Sequence, residues 1–106
     1  MSILPKKKLE AVRSTRRVAI VLRDQDAVGV VYAEIKGQLP ARDRLLEAIK
    51  SIENGEIYSD QDCTQLIDEE YIEVFRRKGA KIIDRDFVFL IERKYAEDHI
   101  VSVKLV

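Results

Sequence analysis

Residues 63–79, "CTQLIDEEYIEVFRRKG", set the number of helices in this chain and therefore its layering. Spaced for a helix, Cys63, Leu66, Ile67, Tyr71, Val74 and Phe75 share one apolar stripe. Acids crowd the first half, Arg76, Arg77 and Lys78 close the second, and Gly79 stands where a C-cap belongs. The pattern predicts an amphipathic helix whose acids form its wet face, with Cys63 a buried thiol on the stripe. Just upstream, Ser59 with Asp62 three residues on resembles a capping box.

Working toward the N-terminus, "PARDRLLEAIKSIEN" (40–54) predicts a first helix. Leu45, Ile49 and Ile52 recur at helical spacing, Leu46 and Ala48 widen the stripe, and Asn54-Gly55 ends it. "EIYS" (56–59) reads as a short strand. Before the helix lie two β-prone runs, "RVAIVLRD" (17–24) and "AVGVVYAEIK" (27–36), with Val28, Val30 and Tyr32 on one face. The polar "DQD" between them predicts a hairpin.

Toward the C-terminus, "AKIID" (80–84) and "DFVFLIERK" (86–94) are again β-prone. Alternation gives Val88 and Leu90 to one face and Phe87, Phe89 and Ile91 to the other, which predicts a central strand covered on both sides. "YAED" makes a turn, and "HIVSVKLV" (99–106) alternates Val101, Val103 and Leu105 inward as a terminal strand. The expected fold is α+β, a mostly antiparallel mixed sheet with two amphipathic helices packed on it. The alternative is a three-layer α/β arrangement with residues 86–97 helical, since Phe87, Leu90, Ile91 and Tyr95 would also share a helical stripe.

The chain has 106 residues, 46% of them apolar, which suits one domain with its own core. One cysteine permits no intrachain disulfide, and with a single histidine it cannot assemble a Cys/His zinc site. No apolar run reaches a membrane-spanning length, and the basic N-terminus lacks the apolar segment of a signal peptide, so a soluble cytoplasmic protein is expected.

Net charge is zero but unevenly spread. Residues 1–17 hold Lys6, Lys7, Lys8, Arg13, Arg16 and Arg17 against Glu10 alone, while residues 53–73 contain eight acids and no base. The division expected is a basic N-terminal arm, 1–16, and a globular domain, 17–106. Those six bases are the candidates for contacting nucleic-acid phosphates.

The remaining chemistry gathers around residues 84–98, "DRDFVFLIERKYAED". Glu92-x-Lys94 after an apolar strand resembles the core of PD-(D/E)xK nucleases, and "ERKYAED" resembles the ERKxxxD signature of structure-specific nucleases. In those families an upstream Asp and the Glu share a metal while the Lys acts on the water or the transition state. On one strand, however, Asp86 and Glu92 stand about 20 Å apart, too far for one Mg²⁺.

"DEEYIEVFRRKG" followed by "DRDF" is similar to the later half of PIN-like ribonuclease domains, which would make Asp68 or Glu69, Asp84 and Asp86 the Mg²⁺ ligands. Those domains also place an Asp at the end of the first strand, where this chain offers Lys36. "VAIVLRDQDAVG" (18–29) resembles the first turn of the rotary ATPase F subunit without its Gly before the Asp. The four glycines are isolated and form no phosphate-binding loop, and His99 has no nucleophile nearby.

The leading expectation is therefore a small intracellular non-enzymatic interaction module that self-associates, because its terminal strand and hairpin leave edges to cover. It would need no catalytic residues, metal or cofactor. Nucleic-acid binding through the basic arm is the first alternative. A Mg²⁺-dependent nuclease using Asp68, Asp84, Asp86, Glu92 and Lys94 is the second.

Overall fold

The computed structural model describes residues 15–79 and 81–106, with Phe87 described in its backbone only. The elements are β1 (Thr15–Asp24), β2 (Ala27–Lys36), α1 (Ala41–Asn54), β3 (Tyr71–Lys78), β4 (Lys81–Glu92), a 3-10 helix (Arg93–His99) and β5 (Ile100–Leu105). They form one five-stranded sheet of order β4-β3-β2-β1-β5, antiparallel at every junction. The α+β class with an antiparallel sheet stands. No helix among the described residues is long and apolar enough to cross a membrane.

The expected first hairpin is present. β1 and β2 run in unbroken register from Thr15↔Lys36 to Asp24↔Ala27, and Gln25 at φ 54° turns the chain at the tip. The β-branched run puts Val18, Ile20 and Leu22 on the same side as Val31, Ala33 and Ile35, all buried. Arg16 and Arg17 belong to β1, so the sheet begins before the expected end of the arm.

α1 lies where its periodicity placed it and buries Ala48 and Ile52 in the same core. Its stripe is narrower than expected, because Leu45 and Leu46 remain exposed. Its C-terminus is held from afar. The Arg93 guanidinium donates to the carbonyls of Ile52 (2.7 Å), Ser51 (3.0 Å) and Gly55, giving the last turn both hydrogen-bond partners and a cation at its negative end.

The expected second helix does not exist. Residues 71–78 are strand β3, and residues 60–70 lead into it without helical structure. At period two, Ile72 and Val74 point into the core while Tyr71, Glu73 and Phe75 point away, so 71, 74 and 75 fit either period and tertiary pairing decides. Two local features bar a helix upstream. Cys63 sits at φ 54°, outside helical space for an L-residue. The Asp60 carboxylate accepts the backbone N–H groups of Thr64 (2.9 Å) and Gln65 (2.7 Å) and the Thr64 hydroxyl (2.6 Å). The capping acid is thus Asp60 in a loop, and neither Ser59 nor Asp62 opens a helix. The Thr64 hydroxyl, foremost, and these backbone donors hold the Asp60 carboxyl below the ordinary carboxylate range.

"EIYS" contributes an isolated bridge: Tyr58 and Tyr32 exchange backbone hydrogen bonds of 2.8 Å each, and buried Ile57 joins the core. The two expected strands 80–84 and 86–94 are one element, β4, extended through Glu92, which removes the three-layer alternative with residues 86–97 helical. β4 is also not central. It occupies the sheet edge, with Phe89 and Leu90 exposed on opposite faces. In β5, Val103 is half-buried on the core side, but a register shift between Val21 and Leu22 leaves Val101 exposed.

Gly29 explains how β3 reaches β2. A Cβ there would lie 2.6 Å from the Glu73 carbonyl oxygen and 2.8 Å from Val74 Cγ1. Only the bare backbone admits this approach, which also orders the sheet face discussed next.

Candidate functional site

The nuclease candidates divide between two places. Asp68, Glu92 and Lys94 line one open concavity of about 560 Å³, together with Glu53, Glu69, Glu70, Tyr71 and Arg93. Asp84 and Asp86 lie outside it, farther along β4, where the Asp86 backbone N–H donates to Asp84 Oδ1 at 2.9 Å. Within the concavity, Glu92 pairs with Lys94 at 3.5 Å, and the Lys94 ammonium also sits 5.0 Å from the Tyr95 ring centroid. Arg93 spends its guanidinium on the end of α1, and its backbone N–H donates to the Glu70 carbonyl at 2.8 Å. The middle residue of Glu-Arg-Lys therefore joins two elements. Among the described residues, no three His, Cys, Asp or Glu side chains are close enough to hold a metal ion.

The nucleic-acid candidates Lys6, Lys7, Lys8 and Arg13 lie outside the described residues. Arg16 is exposed on β1. Arg17 pairs with Glu34 at 3.7 Å and Asp62 at 3.8 Å, which offsets its charge locally.

The remaining reactive side chains have local roles. Cys63 is half-buried in the 60–66 loop and not on a helix stripe, and partial burial raises its thiol pKa above the ordinary value. The Tyr58 hydroxyl donates to Glu56 at 2.9 Å, and that bond raises the phenol's pKa. His99 Nδ1 lies 3.2 Å from the Arg23 carbonyl oxygen, tying the end of the 3-10 helix to β1.

The feature that sequence reasoning missed is the sheet face opposite α1. Cross-strand pairs share a face, so the register assembles it directly. β1 supplies Ala19 and Val21, β2 Val28, Val30 and Tyr32, β3 Tyr71 and Phe75, and β4 Val88 and Leu90. Leu66 adds to the rim from the loop and shares a groove with Val30, Tyr71 and Phe75. Val30 is 41% exposed, Tyr71 41%, Leu66 50% and Leu90 58%. An antiparallel sheet covered on one side ordinarily turns polar residues outward. Here many of the outward residues of β2, β3 and β4 are instead aliphatic or aromatic, although Val28 among them is buried.

Charge of both signs borders this face: Glu73 and the Lys94-paired Glu92 stand on the β3–β4 side together with Arg85, whose guanidinium lies 5.7 Å from the Phe75 ring centroid, and Arg23 and Lys104 on the β1–β5 side. The signal for the face was partly present in the sequence, in the Val28-Val30-Tyr32 alternation and in the two apolar faces of residues 86–94. Locating it needed β3 as a strand. Comparison with known proteins gives no relative: no family model matches the chain, and no characterised protein or solved structure matches it.

Proposed function

We propose that this protein is a small non-enzymatic interaction module whose working surface is the sheet face opposite α1. One observation carries the reading: Val30 of β2, Tyr71 of β3, Val88 and Leu90 of β4 and the loop residue Leu66 stand exposed on one side of the sheet, bordered by charge of both signs. Such a patch marks a docking surface when polar residues surround it. The burial of Val30, Leu66, Tyr71 and Leu90 against a partner would supply affinity, and the rim would set orientation. The carboxylates proposed for nuclease chemistry are divided between the concavity and distal β4, so the geometry supports docking over phosphodiester cleavage.

The β4 edge supports association less well than the face. Between Val88↔Phe75 and Asp84↔Arg76 the register slips, leaving residues 85–87 without partners on β3. A bulge bearing Arg85 and Asp86 blunts an edge against strand addition.

The test is the pair Val30→Lys and Leu90→Lys, both at exposed positions and therefore compatible with folding. In extract of the source cells, the intact chain should elute in a species larger than the monomer, and the double variant as a folded monomer. Unchanged elution of the double variant would move the interaction off this face.

A further inference from the structure

We infer that the far end of the β3–β4 hairpin is a nucleic-acid contact that enters the major groove of duplex DNA. Residues 76–86, "RRKGAKIIDRD", hold five bases against two acids in a protein with no net charge. This tip lies beyond the apolar patch opposite α1, and the inference does not depend on that patch docking a partner.

The bases of the tip are available. The last bond from β3 to the first hairpin is the Arg77 N–H to the Asp26 carbonyl at 2.9 Å, and Lys78 and Lys81 lie past it. Arg77, Lys78, Lys81 and Arg85 are all exposed. The nearby acids are engaged: Asp26 pairs with Arg76 at 3.5 Å, and Asp84 stands opposite Arg76 and accepts the Asp86 N–H. Arg77, Lys78, Lys81 and Arg85 make no ion pair among the described residues. Between the two hairpin tips, Arg23 joins Arg77 along one open hollow.

Lys78 and Lys81 are, moreover, direct cross-strand partners. Like charges in that position repel and destabilise a hairpin. An anion shared by the two ammonium groups reverses the sign of that interaction. Folding gains nothing from this pair, and phosphate binding does.

The ribbon's two faces select a groove. Alternation along β3 turns Arg77 to the side of Phe75 and Lys78 to the side of Val74, and Lys81 follows Lys78. The Arg85 guanidinium lies on the Phe75 side, 5.7 Å from that ring's centroid. Bases therefore stand on both faces of a two-stranded ribbon. A flat anionic membrane meets one face at a time, whereas a groove with phosphates along both walls meets both. The B-DNA major groove, about 12 Å wide, admits such a ribbon, and that of A-form RNA is too narrow and deep for side chains to read. Ile82, opposite Arg77 and 48% exposed, supplies an apolar contact for a thymine methyl. The acids Glu70 and Glu92 lie at the other end of the hairpin, about 35 Å from Lys81 along β4 and several Debye lengths away.

Fluorescence anisotropy of a labelled duplex of about 20 base pairs with the full 106-residue chain, between about 50 and 200 mM salt, tests this. Micromolar affinity is expected at the lower salt, falling about a hundredfold at the higher, as about four neutralised phosphates require. Lys78→Glu combined with Lys81→Glu should weaken binding at least about tenfold, and the corresponding alanine pair should reduce the slope of log Kd on log salt by about 2. Lys50→Glu combined with Lys104→Glu, the same change in net charge far from the tip, should cost less than about twofold. Lys81→Glu alone should raise the melting temperature by about 1–4 °C while weakening DNA binding, because it turns a repelling pair into an attracting one. No binding at about 50 mM salt and 200 µM protein overturns the inference. Binding kept in the tip variants but lost on changing Lys6, Lys7 and Lys8 to Glu also overturns it, and moves the contact to the N-terminal segment. Equal binding to duplex RNA or to phosphatidylserine vesicles overturns it as well, since neither offers the groove.

Discussion

The two hairpins of this sheet have similar composition and different fates. β1–β2 runs in unbroken register, and its inward residues vanish beneath α1 and the 3-10 helix. β3–β4 pairs regularly only from Tyr71↔Glu92 to Phe75↔Val88, then slips, and Ile82 and Ile83 beyond the slip are exposed. The difference is coverage. The helical layer spans the middle of one face and ends before β4, where Ile91 is buried but Phe89 is not. β-propensity in this chain marks where strands form, and the reach of the second layer decides which of them become core.

The largest test of that contrast lies within β3. Val74 is fully buried and its neighbour Glu73 faces the other way. Val74→Asp places an unpaired carboxylate in the core, at about 3–5 kcal/mol or more against a total stability of about 5–15. It should abolish the cooperative melt. Gly29→Ala comes next, since its methyl would press on the Glu73 backbone, which joins the two hairpins. A loss of about 1–3 kcal/mol in urea denaturation is expected. An unchanged midpoint would mean that β2 and β3 are farther apart than the structure places them.

Arg93→Ala removes the donors that close α1 and should cost about 1–3 kcal/mol, whereas Arg93→Lys, lacking the planar fork, should recover only part of it. Glu73→Lys on the open face should shift stability by about 0.5 kcal/mol or less. Equal melting of the Val74 and Glu73 variants would show that the two sides of β3 have been exchanged.

The smallest effect belongs to the loop between the hairpins. The Asp60 carboxyl titrates below its unfolded value, so its contribution is full above the unfolded pKa and fades as pH falls through the folded one. Carboxyl NMR titration should place the Asp60 midpoint below the ordinary carboxylate range, and Thr64→Val should raise it.

Much of the first hairpin and of α1 was legible in the sequence because each is specified locally: β-branched runs about a polar tip, and one helical stripe between Pro40 and Gly55. β4 was legible as a strand but not as an edge, since its two apolar faces fit a covered centre equally well. β3 was misread because Tyr71, Val74 and Phe75 satisfy both periods, and the deciding facts are the positive φ of Cys63 and the Asp60 turn. The site followed the same division. Glu92, Lys94 and Asp68 do share one concavity, while Asp84 and Asp86 are carried away from it along β4. The sheet face opposite α1 stayed hidden because its exposed residues, Val30, Leu66, Tyr71, Val88 and Leu90, come from separate strands and a loop.

The most direct test of the central claim is solvent paramagnetic relaxation at side-chain methyls. At a concentration that keeps the chain monomeric, a soluble nitroxide should broaden Val30 and Leu90 strongly and leave Val31 and Ile72, behind the same strands, untouched. Exposed Leu46 on α1 should broaden as well. Protection of Val30 and Leu90, or broadening of Val31 and Ile72 equal to theirs, would contradict an open apolar face opposite α1.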